Sequence, residues 1–280
     1  MLGTLLASPP LFAGVCLLLG LIAGSFLNVV VHRLPVMLQR QWQVDCGAAA
    51  ASDRYDLIAP ASHCPRCKAP IAWYNNIPLL GWLRLRGRCA TCQARIAARY
   101  PLTELVAGLL ATAVAVRFGP GAAAATAIGL SLTLLALTQI DVDHMLLPDV
   151  ITLPGIWVGL LVNLNGTFTD LHSAVIGAVA GYLSLWLVYH LFKWLTGKEG
   201  MGYGDFKLLA MLGAWLGWQA LPACIVLASL VGTLYGLTTI LLRGHGRQQP
   251  FPFGPFLAVA GWINLMWGET LRVAYWQVAL

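Results

Sequence analysis

Between Gly121 and Ile140 the chain runs for about twenty residues without a formal charge, GAAAATAIGLSLTLLALTQI, and similar runs recur to its end. About twenty apolar residues are what an α-helix needs to cross the ~30 Å hydrocarbon core of a bilayer. Of the 280 residues, 59% are hydrophobic and 10% charged, whereas soluble domains carry roughly 25% charged residues. The alternation expected of outer-membrane barrel strands is absent. The fold class that follows is all-α: a polytopic helix bundle whose surroundings are the lipid bilayer. The apolar runs predict about eight spans, near 11–31, 102–118, 121–140, 150–164, 173–195, 206–217, 219–242 and 255–275.

Three regions are expected. Residues 1–31 form a first transmembrane span, 32–100 a polar region, and 101–280 a transmembrane bundle. The opening of the polar region, through DCGAAAASDRYD, has weak periodicity and reads as a loose connection. The net charge of +6 raises the possibility of a nucleic-acid partner, but its placement argues against one. Most of the Lys and Arg residues lie between Arg33 and Arg99, beside the first span, where basic residues record membrane topology. The run from Leu11 to Val31 has no Lys or Arg before it and Arg33 just after it. This is the reverse of a secretory signal, so it reads as a retained span with Arg33 inside.

With 32–100 on the cytoplasmic side, the chain returns there near 141–149, 196–205 and 243–254. Those turns carry Lys198, Arg243 and Arg247, with Lys193 and Lys207 nearby, while the opposite side has Arg117 and Arg272 at helix ends. The bias supports the assignment. It also brings two acidic clusters to one face of the membrane: IDVDHMLLPD, with Asp141, Asp143 and Asp149, and GMGYGD, with Asp205.

Asp141 closes the uncharged run and Asp205 opens another apolar stretch, so both carboxylates are expected to be partly desolvated. Two such groups brought together cannot both ionise cheaply and would share a proton. One can then act as general base on a water while its protonated partner polarises a peptide carbonyl, which is the chemistry of aspartic proteolysis. An ion or proton pathway through the same carboxylates is the competing reading. Gly202 and Gly204 would permit unusual backbone torsions and close approach of a substrate backbone. Asp149, before VITLPG, looks like a helix N-cap, and Asp143 is either a helper or a solvated turn residue.

Cys64-Pro-Arg-Cys67 and Cys89-Ala-Thr-Cys92 have the spacing of a four-cysteine structural zinc site. Their place in a reducing compartment argues against disulfides, although two disulfides or a redox pair would use the same residues. Such a metal would fold a small domain that lacks a sufficient core of its own. His63 reads as a neighbour rather than a ligand, and Cys16 and Cys224 as packing residues. The intervening IAWYNNIPLLGWLRLRGR suits either docking on a membrane face or substrate, or a packed hairpin.

Taken in order, GSFLNVVVHRLP, the cysteine box with WYNNIPLLGWL, RGRC and RYPLTELV, IDVDHMLLPDVITLP, GMGYGDFKLLAMLGAWLGWQALP and PFPFGPFLAVAGW resemble the type IV prepilin leader peptidases. That resemblance runs nearly end to end and is weakest over about 36–60. It implies a bifunctional enzyme of the bacterial inner membrane, an aspartic endopeptidase and N-methyltransferase. Asp141 and Asp205 would be the catalytic pair, on D-x-D and G-x-G-D motifs, and Cys64, Cys67, Cys89 and Cys92 the zinc ligands. Prepilins and pseudopilins would be cut after a glycine on the cytoplasmic side, and the new amino terminus methylated with S-adenosylmethionine. A presenilin-like protease would share G-x-G-D but not the cysteine box. A transporter or a non-catalytic, zinc-organised assembly factor would not depend on cleavage.

Overall fold

A computed structural model describes residues 8–47, 54–198, 200–243 and 251–279. Nine helices are present among them: α1 Pro9–Asp45, α2 Leu80–Arg84, α3 Arg99–Phe118, α4 Ala122–His144, α5 Asp149–Val162, α6 Leu171–Thr196, α7 Tyr203–Leu216, α8 Leu221–Arg243 and α9 Gly254–Ala279. Short 3-10 turns occur at Trp73–Asn75, Asn163–Asn165 and Trp218–Ala220. The described residues contain no strand, only two isolated β-bridges in the cysteine region.

Five helical stretches among the described residues are long and apolar enough to cross a membrane: α1, α3, α4, α6 and Trp218–Thr239. The sequence suggests eight, and the difference has a physical basis. Helices α5 and α7 have 14 residues each, or ~21 Å at 1.5 Å per residue, short of a ~30 Å hydrocarbon core. Helix α9 is interrupted at Trp267, where φ −132° and ψ 18° leave the helical region. Large apolar side chains such as Leu18, Ile22, Leu187 and Leu195 face outward, as a lipid environment allows.

The chain divides into two compact units, Met1–Leu132 and Thr133–Leu280. In the first, α1 continues well beyond its apolar part. The expected loose connection is helical as far as Asp45, because MLQRQWQ is made of good helix formers; its residues 48–53 lie outside the described residues, as does Arg247. Buried Arg33 donates to the carbonyls of Asp56 (3.0 Å) and Pro60 (2.6 Å), tying that stretch of loop to α1. Helices α1 and α3 meet at backbone distance. A Cβ on Gly20 would stand 2.8 Å from the Ala107 oxygen and the Gly108 Cα, and one on Gly24 2.8 Å from the Glu104 Cα. Small residues permit this approach in lipid, where apolar burial alone does not drive helices together.

In the second unit α7 forms the centre, with Phe206, Leu208, Leu209 and Leu212 wholly buried. Helix α6 lies against it through Gly177 and Gly181, α5 through Gly155 and Gly159, and α9 through Gly261. Trp215 on α7 donates to the Gly155 carbonyl at 2.9 Å. Buried Asn163 donates to the carbonyls of Ala214 and Trp215 and accepts from the amides of Phe168 and Thr169, which fixes the far end of α7. The α6–α7 crossing allows a sharp test. A Cβ on Gly213 would collide with the Gly177 carbonyl, and one on Gly177 with the Gly213 carbonyl. Backbone cannot rotate away, so Gly213→Val is expected to destabilise the unit by about 3 kcal/mol or prevent its folding. Gly236→Ala, at a position with open space around it, should leave the melting temperature in detergent unchanged or slightly raised. Equal melting of the two variants would refute the packing argument.

Candidate active site

Asp141 sits in the last turn of α4 and Asp205 in the first turn of α7. They are 5% and 7% exposed, both among the few buried charged residues. Leu147, just after α4, lies beside Gly204 on α7 and beside Gly254, whose amide donates to Asp141 Oδ2, so the two motifs, 64 positions apart in sequence, converge on one site. Three local features place them. Helix α4 ends where Met145, at φ +50°, turns the chain while its amide still donates to the Asp141 carbonyl at 2.8 Å. Pro148 then caps α5 in extended conformation. Gly202, also extended, begins α7, and the Asp205 amide donates to its carbonyl at 3.2 Å.

Neither Gly202 nor Gly204 has a positive φ, so the expected role in unusual torsions is replaced by one of space. A Cβ on Gly204 would stand 2.8 Å from the Leu147 Cβ. Gly202 has nothing nearer its Cβ position than the Asp205 Oδ2 and the Gly204 amide, both at 4.0 Å. The space beside Gly202 is therefore open.

The other acidic residues of the first motif are exposed where the pair is buried. Asp143 is exposed. Asp149 is not the N-cap expected of it: it is the first residue of α5, and both its carboxylate oxygens receive Lys207 Nζ at 2.7 Å. This ion pair fastens α5 to α7 two residues beyond Asp205, and residue order alone does not reveal it. Sequence reading also misses Gly254, at the start of α9. Its amide donates to Asp141 Oδ2 at 3.0 Å in a buried hydrogen bond. The one signal for a special backbone position there is the proline-interrupted run PFPFGP.

The four cysteines of the first unit come together with all Sγ atoms within 4.8 Å of one another. Two matching turns present them. The Cys64 amide donates to Ala69 O (2.9 Å) and Lys68 N to Cys64 O (2.9 Å); the Cys89 amide donates to Ala94 O (2.8 Å) and Gln93 N to Cys89 O (3.1 Å). Lys68 and Gln93 close the turns at φ 60° and 57°. The Sγ separations are 3.8 Å for Cys64–Cys92 and 3.9 Å for Cys67–Cys89, equal to the ~3.8 Å edge of a tetrahedron with Zn–S bonds of about 2.3 Å. Backbone N–H groups lower the Cys64 and Cys89 thiols while burial and the neighbouring sulfurs hold Cys67 up, so the four thiols compete for protons that a metal, which requires thiolates, would displace. The residues present fit zinc. His63 is not in the cluster; its Nδ1 lies 2.9 Å from the Ala61 carbonyl. Cys16 and Cys224 are buried, as expected, and Cys46 is exposed.

Between the two turns, the Leu79 amide donates to Glu104 on α3 at 2.8 Å and holds this loop to that helix. Trp73, Leu80 and Leu83 are 80%, 62% and 61% exposed, while buried Gly81 lies against the Asn75 backbone and Trp82 donates to the Ile96 carbonyl at 3.3 Å, so the stretch is packed on itself and presents apolar side chains outward.

Comparison with known proteins follows the same division. The Bacterial Peptidase A24 N-terminal domain matches residues 18–118, and the Type IV leader peptidase family matches residues 128–237. Proteins named prepilin leader peptidase/N-methyltransferase are similar over almost the whole chain. The Aeromonas hydrophila protein is 56% identical over 274 residues, covering 95% of this chain and 94% of its own length. The protein of Aeromonas salmonicida strain A449 is 55% identical over 280 residues, with 97% and 96% covered. That of Pseudomonas aeruginosa is 52% identical over 281 residues, with 98% and 97% covered. No solved structure matches the chain.

Proposed function

The chain belongs to the type IV leader peptidase family, and on that premise we propose that it cleaves the leaders of type IV prepilins and pseudopilins and then N-methylates the new amino terminus. The observation that carries the peptidase half is the joint burial of Asp141 and Asp205 at the adjoining ends of α4 and α7. Two like charges in one desolvated site share a proton. The ionised carboxylate takes a proton from water, and the hydroxide oxygen bonds to the scissile carbonyl carbon. Its protonated partner gives its proton to the carbonyl oxygen, forming a gem-diol. Collapse breaks the C–N bond as the carboxyl that took the water proton passes it to the leaving amine nitrogen. One diol hydroxyl gives its proton to the other carboxylate, which restores one proton to the pair. Asp141 and Asp205 fill these two roles as a pair.

The cut follows a glycine and takes place at the cytoplasmic face of the bacterial inner membrane. The basic flanks of the spans favour this orientation, and a substrate with a basic leader ahead of an apolar helix would keep its leader on that side. Cys64, Cys67, Cys89 and Cys92 hold a zinc ion whose four ligands close its coordination, so its contribution is to the fold of the region and not to the reaction. S-adenosylmethionine supplies the methyl group for the second activity.

The test is mass spectrometry of a prepilin incubated with the purified protein, with and without S-adenosylmethionine. Loss of the leader in both, with a methyl-sized gain only when the donor is present, is the expected result. An uncut prepilin in the presence of folded, zinc-loaded protein would overturn the proposal.

A further inference from the structure

Asp141 has an unfavourable position for a working carboxylate. It lies in the last turn of α4, where the helix dipole presents its negative end, and it is 5% exposed, so water contributes little. Its compensation comes from a different helix. The Gly254 amide, the first of α9, donates to Asp141 Oδ2 at 3.0 Å within the buried interior. An amide at a helix N-terminus has no intrahelical acceptor and points along the positive end of its own dipole. The α9 start thus offsets the α4 end at the same carboxylate.

The position also demands the absence of a side chain. A Cβ on Gly254 would stand 2.6 Å from Asp141 Oδ2, 3.2 Å from its Cγ and 3.1 Å from Leu147 Cδ1. Leu147, buried beside both glycines, would also meet a Cβ on Gly204. Two glycines from separate segments and one leucine therefore define the space around the carboxylate pair.

We propose that Gly254 is a positioning residue of the peptidase site, holding one oxygen of Asp141 through its amide so that the other is directed to the reaction. The aromatic-proline stretch that begins at Phe251 and leads into α9 is then part of the active site, alongside the two aspartate motifs. This inference rests on Asp141 and Asp205 being the catalytic pair.

The experiment compares Gly254→Ala, Leu147→Ala and the double variant, in purified full-length protein with a prepilin substrate. Zinc content and melting temperature establish that each is folded. A methyl group at position 254 displaces Oδ2, so kcat should fall by roughly 10- to 100-fold while KM stays within about twofold, the signature of an interaction used in the transition state. Leu147→Ala gives room at Leu147 Cδ1 but none at Asp141, so the double variant should remain as slow as Gly254→Ala. Full kcat in Gly254→Ala, or its restoration in the double variant, overturns the positioning role, since crowding against Leu147 would then be the whole effect. Asp141→Asn and Asp205→Asn measured alongside separate the two levels. If both still cleave, the catalytic pair itself is wrong; if both are inactive while Gly254→Ala is normal, only the role of Gly254 is wrong.

Discussion

Asp205→Asn is expected to lower cleavage by about 10³-fold or more, and Asp141→Asn to do the same, because each removes a group that must gain or release a proton. Asparagine matches aspartate in shape, so the space beside Leu147 and Gly204 is retained. It carries no charge, and taking a charged carboxylate out of water costs more than taking an amide out of water. The melting temperature of either variant should therefore hold or rise as activity disappears. A structural role predicts the opposite pairing: lower stability with activity lost in proportion to the folded fraction. The double variant should be no slower than either single one, since a pair that acts as a unit is not additive. Leader removal is followed by mass spectrometry and stability by thermal melting. Substantial cleavage by either single variant would remove the pair from the mechanism. Asp149→Asn is the useful contrast. Its partner is Lys207, and with side-chain exposures of 54% and 24% the pair contributes only about 1 kcal/mol or less, so cleavage should persist.

The carboxylates and cysteines are legible in the sequence for a common reason. An ionisable residue at the edge of an apolar run, or paired cysteines at fixed spacing, is unusual enough to point to chemistry by itself. What joins them is not legible in the same way. Gly254 lies 113 positions from Asp141, and a backbone amide leaves no trace in residue type. Lys207 reads as a topological charge, and only the meeting of α5 with α7 shows that it serves Asp149. Hydropathy marks α5 and α7 as apolar runs, 150–164 and 206–217, that are already shorter than the ~20 residues of a full span. It does not tell a short crossing from a helix buried in the bundle, which is what two 14-residue helices leave to the packing. Gly177 and Gly181 of IGAVAGYLS pack against α7, whereas in GAAAATAIG the buried positions are Ala124 and Ala127 and the Cβ positions of Gly121 and Gly129 meet open space. Periodicity this weak does not distinguish the face of a helix that touches protein from the face that touches lipid.

The second large effect concerns the cysteine region. Purified protein is expected to carry one zinc per chain, and Cys64→Ser or Cys89→Ser to lose it. The consequence should be local unfolding, because little else holds these residues. Ile58, Trp73, Leu80 and Leu83 are all exposed, so the region lacks the buried apolar surface that a domain of this size needs. The turns at Lys68 and Gln93 adopt positive φ, at roughly 1 kcal/mol or more each for residues with a side chain. Structural zinc contributes apparent binding free energies of about 10–16 kcal/mol in small domains, enough to dominate that balance. Hydrogen exchange should therefore rise over 61–96 on chelation or in either variant. The α1–α3 crossing is held by backbone-close packing of Gly20 and Gly24 and has no need of the metal, so its amides should remain protected. Unchanged exchange over 61–96 after zinc removal would show that the cysteines are not the source of this fold. Rapid exchange spreading into α1 and α3 would mean instead that the Glu104–Leu79 bond at 2.8 Å couples the loop to the helices strongly enough for them to unfold as one.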